Sequence, residues 1–460
     1  MPRKTAPASY PLSRPLGHPT STVDAADAGQ WASRYLAAES PLTGPTVSIL
    51  LLDIDWWTTQ MTTYTQPRIN TANPWFHLPF GAEGGYGTEG DALPRITHLA
   101  DGTDLNVIWT EIQQTITAWN EHRSALTALL AYQTTVSADA IPQSNSEQHF
   151  ELASEFGEPE SLRGPSSHLL LGYTFNDYDA ASRFTWKALR AMTTEQVRSA
   201  FNTALEMDNR NVNGHILLRL FSPETVENEF GTSVYGFWNG DTLKPPTYLG
   251  KPFAANHTHY LVSGAASVDS GDLDTLIKHV QEHGYGMDAG SQLVLLCNPV
   301  EADVISTFRV GTESATSVYP AHSYIPSEGA PAFYAPDEIV GKRAPAKFER
   351  MRVSGSYGPL YVIPDELVPE GYLAVAATYG PNSPLNPIAM REHENPRYRG
   401  FRTIPGTQPG YPLLESFYTR SFGVGVRRRG QAAVMQIKAN GTYETPEIAG
   451  LSPYATLAAG

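Results

Sequence analysis

Apolar residues recur at helical spacing in two long stretches of this chain. Between Val107 and Leu130 they recur near helical spacing, which predicts one amphipathic helix. These positions are Ile108, Ile112, Ile116, Trp119, Leu126 and Leu130. A second helix is predicted from Thr193 to Phe221, because Thr193 and Gln196 have the spacing of a capping box. The apolar face of this second helix consists of Val197, Phe201, Leu205, Val212, Ile216 and Leu220. At 1.5 Å per residue, its roughly 29 residues extend about 44 Å, which indicates a strut.

Shorter apolar runs, continuous or alternating, predict strands. Val47–Trp57 has this pattern. Residues 150–157 and 168–175 are interpreted as the two strands of a long hairpin with a polar, proline-containing connection. A last hairpin is predicted within Ser421–Ile437, with Arg428–Gln431 at its turn.

The region from 232 to 384 mixes both patterns. A short helix is predicted to begin near Asp272, and a buried strand follows at Gln292–Asn298. The other predicted elements are a helix at Val300–Arg309 and strands at Met351–Ile363 and Tyr372–Ala377. Strand, helix and strand in this order predict a compact α/β unit.

Composition restricts the function classes. The chain has 460 residues, of which 41% are hydrophobic and 17% charged, as in a globular protein of two or three compact units. Its formal charge of −15 disfavours a protein that wraps nucleic acid, because phosphate neutralisation requires a basic surface. The single cysteine, Cys297, lies in an apolar run and is predicted to be a buried core thiol. Met1–Pro19 lacks the apolar core of a signal peptide, so we expect synthesis and folding in a cytoplasm.

The most informative region is 382–437. A proline-rich connector, NSPLNP at 382–387 and REHENP at 391–396, leads into two apolar strand patterns at 416–437. No nucleophile, metal cluster or phosphate loop lies near them in the sequence. This profile is typical of a structural protein.

The order of the predicted pieces points to a family. They are an arm, an early helix, a long hairpin, a strut helix, an α/β insertion and a terminal pair of strands. The matching motifs span roughly residues 45–447 and are HFELASEFG (149–157), HLLLGYTFNDY (168–178), the segment 207–221 with DNRNVNG, the segment 237–260, the segment 283–290, and 416–437. In these motifs and their order the chain resembles the Hong Kong 97-like major capsid proteins of tailed bacteriophages, most of all those of phages of actinobacteria.

The resemblance implies an α+β fold of the Hong Kong 97-like type. Its parts would be an N-arm (1–43), an N-terminal region with the amphipathic helix (44–147), an extended loop (148–190), a peripheral domain built on the spine helix (191–231 and 385–460), and an axial domain (232–384). An isolated two-stranded ribbon is marginal in water, and ordering a flexible arm costs about 1–2 kcal/mol per residue. We therefore expect the extended loop and the N-arm to become ordered on neighbouring subunits.

Two departures from the family pattern matter. The best-known member crosslinks its subunits through a Lys–Asn isopeptide bond at the extended loop. Residues 148–186 contain no lysine, and Lys187 lies at the base of the loop, so this crosslink is not expected. Residues 1–150 have the patterns of an integral domain, so a cleaved N-terminal scaffolding segment is not expected either.

Candidate chemistry is sparse. His257 and His259 would point to one strand face and could ligate a metal, but no third ligand stands at the usual spacing, so packed histidines are the preferred interpretation. His279 and His283 lie four apart on the short helix, also without a third partner, and are expected on a solvated helix face.

Other candidates are no stronger. Gly81–Gly90 lacks the Lys-Ser/Thr of a phosphate loop. Arg427–Arg429 is expected to pair with acidic residues of an adjacent subunit, with DNA contact as the alternative. Tyr235–Trp238 could line a sugar site, but aromatic packing is preferred. Asp53 and Asp55 show no signature spacing to a base or nucleophile. We therefore predict no catalytic, cofactor-binding or metal-ligating residues, and no cofactor.

The resemblance implies a virion structural protein that is not an enzyme. Copies would assemble as pentamers and hexamers into an icosahedral shell that encloses double-stranded DNA without sequence-specific binding. Assembly would take place in the host bacterial cytoplasm, with a portal protein as a further partner and no membrane contact. The sequence leaves open the triangulation number, host, maturation state and decoration proteins.

Two alternatives remain at this point. An encapsulin-like nanocompartment shares the fold and encloses protein cargo. A metal-assisted or carbohydrate-active enzyme would use His257, His259 and the aromatic cluster.

Overall fold

The computed structural model describes residues 96–448 and residue 451, except for 123, 144–149, most of 151–166, 242, 250–252, 255, 332–342 and 405–414. The predicted N-arm (1–43), the strand at 47–57 and the glycine-rich loop at 81–90 lie outside the described residues. Among the described residues, no helix combines the length and the apolar character needed to cross a bilayer.

The described part of the chain is a mixture of helices and strands. The helices are α1 Leu105–Glu121, α2 Ala125–Leu130, α3 Trp186–Ala191, α4 Thr194–Phe221, α5 Ser270–Gln281 and α6 Pro299–Ile305. The strands are β1 Ala131–Thr134, β2 Ala138–Gln143, β3 Ser167–Gly172, β4 Asn176–Arg183, β5 Val226–Glu227, β6 Ser233–Val234, β7 Tyr260–Val262, β8 Gln292–Cys297, β9 Tyr324–Pro326, β10 Lys347–Phe348, β11 Met351–Arg352, β12 Gly355–Tyr357, β13 Leu360–Pro364, β14 Tyr372–Thr378, β15 Ile388–Glu392, β16 Phe401–Ile404, β17 Glu415–Val426 and β18 Ala432–Gln436.

The single helix predicted over 107–130 is two helices. The backbone of His122 is extended, and the Ser124 hydroxyl accepts a hydrogen bond from the Thr127 N–H at 3.1 Å, so a new helix begins there. The two helices also bury their apolar residues in different clusters. Ile108 of α1 lies in one buried cluster and Leu130 of α2 in another. The apolar spacing continued across the break, which is why the sequence pattern did not reveal it.

The long helix predicted at 193–221 is confirmed as α4, with 28 residues. The Thr193 N–H donates to Gln196 Oε1 at 3.0 Å, as the capping box predicts. Asp101 adds a second contact at this helix start, because its carboxylate accepts from the Thr194 N–H at 2.7 Å. The side chain of Thr194, followed by its backbone N–H, lowers the pKa of Asp101 far below its usual range. The N-terminal half of α4 packs in the cluster of α1, and its C-terminal half packs in the cluster of α2. Helix α4 therefore bridges two cores, as a strut does.

A seven-stranded mixed sheet forms the centre of the region predicted to be α/β. Its strand order is β7-β18-β14-β8-β13-β12-β9. Residues paired across the strands form rows, and successive rows point to opposite faces of the sheet. The first face packs in the cluster that contains α5 and α6, and its residues include Ala433, Val375, Leu295 and Val362. The opposite face packs in the cluster that contains α2 and the C-terminal half of α4. Its residues include Val434, Ala374, Leu296 and Ile363. Both faces of the sheet are covered, which explains its continuous apolar strands.

The predicted terminal hairpin within 421–437 is wrong. Strand β17 lies in a five-stranded sheet, where it pairs with β15, β16 and β4. Strand β18 lies in the seven-stranded sheet, between β14 and β7. The turn predicted at Arg428–Gln431 does form, because the Gln431 N–H donates to the Arg428 carbonyl at 3.2 Å, but the strands on its two sides join different sheets. The chain therefore passes from one sheet to the other at residues 427–431.

The predicted long hairpin is also corrected. Its second strand exists as β3, but β3 pairs with β2 rather than with residues 150–157. The register runs from Ala138 opposite Gly172 to Gln143 opposite Ser167. Those residues of 150–157 that the structure describes are not in a strand. We call the β2–β3 pair the ribbon; its two strands are joined by residues 144–166.

Gly423 marks a close approach between chain segments. In the middle of β17 it lies against the backbone of Thr174, and a Cβ added there would overlap the Thr174 carbonyl. We expect Gly423→Ala to destabilise the subunit by about 3 kcal/mol, at the upper end of the range for overpacked sites. Gly290→Ala is the matched control, since nothing lies within 4 Å of a Cβ there. Urea unfolding of the unassembled subunit measures both, and equal stabilities of the two variants would contradict this packing.

Candidate functional site

The ribbon and its connection present apolar side chains to solvent. Leu170 of β3 is 51% exposed, and Phe150 and Leu152 are essentially fully exposed, at 104% and 97%. Burial of such a side chain contributes about 1.5–3 kcal/mol. A two-stranded ribbon with exposed apolar groups is unstable alone in water. This segment is therefore a candidate interface.

The base of the ribbon is fixed to the body of the same chain. Asp139 of β2 accepts a hydrogen bond from the Tyr173 hydroxyl at 2.7 Å and forms an ion pair with Arg427 at 3.2 Å. The Asn228 side-chain amide donates to the Ser137 carbonyl at 3.1 Å. The ribbon is thus anchored at one end, while Leu170 faces solvent.

A buried polar cluster ties the long helix α4 to α1 and to the five-stranded sheet. Asp208 of α4 accepts from Trp119 Nε1 at 2.9 Å and lies 3.5 Å from the Arg420 guanidinium of β17. Arg420 also lies 4.0 Å from Glu392 of β15. Burial raises the pKa of Asp208, and the charge of Arg420 and the hydrogen bond from Trp119 oppose that rise. The cluster fixes the orientation of the helix on the sheet.

The arginine triplet at 427–429 pairs within the chain, which corrects the expectation of partners on an adjacent subunit. Arg427 forms the ion pair with Asp139 at the base of the ribbon. Arg428 donates to the Pro384 carbonyl at 2.7 Å. Arg429 is buried and forms a two-point ion pair with Asp241, including a 2.9 Å contact between its Nη1 and Asp241 Oδ1. These contacts hold the crossing between the two sheets.

The four candidate histidines lie together. His257 and His259 precede β7, His279 lies in the last turn of α5, and His283 follows that helix. The Nε2 of His283 is 3.0 Å from Nε2 of His259 and 3.3 Å from Nε2 of His257. His283 is buried, so the expectation of a solvated helix face is wrong for it. The sequence has no third ligand at the usual spacing from His257 and His259, but the fold places His283 beside both of them. The spacing within each pair is local, whereas the fold brings His283 beside His257 and His259 from more than twenty residues away.

The remaining sequence candidates have structural surroundings. Cys297 is confirmed as a core thiol, and burial raises its pKa. Phe237 and Trp238 are fully buried, and Tyr235 packs its ring on the Arg429 guanidinium at 4.8 Å, as the packing interpretation requires. Lys187 is exposed on α3. Asp53 and Asp55 lie outside the described residues.

Several solved structures are similar to this chain. A structure of Mycobacterium phage Patience is 35% identical, covers 76% of this chain and 92% of that one, and has a TM-score of 0.60. Two weaker matches are the capsid of an empty GTA particle (12% identity, 69% and 91% covered, TM-score 0.37) and an encapsulin complex from Synechococcus elongatus (11% identity, 73% and 92% covered, TM-score 0.37). No protein-family model and no curated protein matches the chain.

The described residues combine a mixed α and β architecture, an anchored ribbon with exposed apolar side chains, and a long helix that bridges two cores. With the match to the mycobacteriophage structure, the chain belongs to the Hong Kong 97-like major capsid proteins of tailed phages, and among these to the actinobacteriophage type. The resemblance found in the sequence is thereby confirmed.

Proposed function

We propose that copies of this chain, as pentamers and hexamers, tile an icosahedral shell around the double-stranded DNA genome of a tailed phage. The observation that supports this most is the 35% identity to the mycobacteriophage structure over most of both chains. The exposed Phe150, Leu152 and Leu170 support it independently, because a neighbouring subunit would cover them. The match favours a virion protein over the encapsulin-like alternative.

The parts of the subunit have separate proposed roles. The spine helix α4 and the five-stranded sheet form the peripheral domain, and the N-arm (1–43) lies on a neighbour. The seven-stranded sheet with α5 and α6 forms the axial domain at the local five-fold and six-fold axes. Because β2 is the partner of β3, we extend the extended loop back to residue 138. Because β18 is an inner strand of the seven-stranded sheet, we count 432–436 with the axial domain.

The proposed mechanism is geometric. Each subunit makes several contacts of modest strength with its neighbours, and closure of the shell makes them act together. Weak single contacts allow wrongly placed subunits to leave. The anchored base of the ribbon supports this role, because it fixes the direction in which the loop reaches.

Enclosure of DNA would not require specific contacts. The chain carries a formal charge of −15, and the arginines at 427–429 are engaged within the subunit. The DNA would therefore be confined by the wall rather than bound by it. Assembly in the host cytoplasm and a portal protein at one vertex complete the proposal.

The contents of purified particles test the proposal. Particles that contain this chain, isolated from a lysate of phage-infected cells and treated with nuclease, are expected to retain double-stranded DNA. Gel analysis after protein digestion measures this. Nuclease-treated particles that hold a protein cargo and no DNA would contradict the proposal and support an encapsulin-like shell.

A further inference from the structure

Three histidine side chains converge at one edge of the seven-stranded sheet. The ligand atoms of His257, His259 and His283 all lie within 4.8 Å of one another. Among the residues that the structure describes, this is the one group of three His, Cys, Asp or Glu side chains with such spacing. Two of these residues enter the edge strand β7, and the third follows α5, so the group joins two elements.

A hydrogen bond on the far side of His259 sets which ring nitrogen is available. Its Nδ1 lies 2.7 Å from the Ala432 carbonyl oxygen. A carbonyl only accepts, so Nδ1 carries the proton, and Nε2 of the neutral ring has a lone pair on the side of His283. A backbone carbonyl on the distal N–H is the partner that orients metal-bound histidines.

His259 lies at the buried end of the group. Its side chain is fully buried, and His283 is 6% exposed. The positions of both rings are therefore set by the packing around them.

The distances between the rings suit a metal centre. Bonds of about 2.0–2.1 Å at the tetrahedral angle place two ligand nitrogens about 3.3–3.4 Å apart. The two Nε2 separations at His283 are 3.0 and 3.3 Å. The remaining separation, between His257 and His259, is at most 4.8 Å, and a rotation of the half-buried His257 ring would close it.

The surroundings hold the rings in place. Phe253 stacks on His283 with a centroid separation of 4.2 Å and an interplanar angle of 19°. Gly430 lies on another side of the His283 ring, where an added Cβ would be 2.7 Å from its Cγ. Such preorganisation reduces the ordering that binding requires.

We propose that the Nε2 atoms of His257, His259 and His283 bind one divalent transition-metal ion, with Zn²⁺ as the expected occupant and solvent completing the coordination. Imidazole ligands suit zinc and its neighbours cobalt, nickel and copper, whereas calcium and magnesium prefer oxygen. The ion ties the segment entering β7 to the end of α5. This site goes beyond the shell-forming role and does not depend on it.

Metal titration of the full-length chain tests the site. Protein freed of any affinity tag and stripped with a chelator is titrated with Co²⁺ and, separately, with Zn²⁺. We expect one ion per chain, the visible absorption of tetrahedral Co²⁺, and a higher melting temperature with Zn²⁺. His257→Gln is expected to lose at least tenfold in affinity. His322→Gln is the matched control, because this exposed histidine lies next to β9 at the opposite edge of the sheet and should bind as the unaltered chain does.

Misfolding of a variant can be distinguished from loss of the metal site. Circular dichroism shows whether each protein is folded, and the unaltered chain is measured on its own. If that folded chain binds no stoichiometric Zn²⁺ or Co²⁺, the site does not exist. Equal affinity in His257→Gln and His322→Gln would equally overturn it.

Discussion

Replacement of residues 144–166 by a short Gly-Ser turn is expected to abolish shell formation and to leave the subunit folded. The ribbon strands β2 and β3 would remain paired, because their register lies outside the replaced segment. The exposed Phe150 and Leu152 would be removed with it. Electron microscopy counts the particles, and circular dichroism of the same sample shows whether the subunit is folded.

A second variant keeps the length of the loop and removes only its two exposed apolar side chains. It therefore tests their contribution to assembly separately. Phe150→Ser together with Leu152→Ser would remove about 3–6 kcal/mol of burial per subunit contact, if both side chains are covered in the shell. This corresponds to a rise of about two to four powers of ten in the concentration required for assembly. Normal shells from the loop replacement at unchanged protein concentration would refute the role assigned to the loop.

Arg420→Met is expected to destabilise the subunit by about 3–5 kcal/mol, the range for removing one partner of a buried ion pair. The substitution keeps an apolar stem but leaves Asp208, whose side chain is 3% exposed, without its cationic neighbour. Urea unfolding of the unassembled subunit measures the loss.

Arg198→Met is the matched control for Arg420→Met. Arg198 also bridges two elements, with its guanidinium 2.7 Å from Glu111, but both side chains are about half exposed, at 52% and 43%. Exposed ion pairs contribute at most about 1 kcal/mol. Equal losses in the two variants would show that the buried cluster is not what holds α4 on the sheet.

The loss in Arg420→Met should depend on pH. Burial already raises the pKa of Asp208, and removal of Arg420 raises it further. A carboxyl group whose pKa is higher in the folded state than in the unfolded state favours folding at low pH. That contribution is lost as pH rises through the folded-state pKa. The difference between variant and parent should therefore be larger at neutral pH than in mild acid.

Much of the helical and central-strand structure was predictable from the sequence. The capping box at Thr193 and a steady apolar face defined α4 within one residue. Gln292–Cys297 is a continuous apolar run, and such a run is typical of a strand covered on both faces. In these segments the local preference and the tertiary packing favour the same structure.

The strand partners were not predictable. Strand β2 has the sequence ADAIPQ, with weak alternation and a proline, so it gave no strand signal even though it is the partner of β3. The run at 416–437 has the pattern of a hairpin, but contacts far along the chain decide its pairing. Arg429 is anchored to Asp241, and β18 enters a different sheet from β17.

The histidine site shows the same limit. His257 and His283 lie 26 residues apart, and neither local spacing contains a third ligand. The available signal was the presence of two histidine pairs, one before α5 and one at its C-terminal end. Only a fold that returns α5 against the segment entering β7 brings them together.

Imaging of the purified full-length chain tests most directly the central claim that its copies close into an icosahedral shell. Sedimentation followed by cryo-electron microscopy is the measurement. We predict closed particles of uniform size, with density for the ribbon and its loop lying across a neighbouring subunit. A folded monomer that stays monomeric at all concentrations, with Phe150 and Leu152 covered by its own chain, would contradict it.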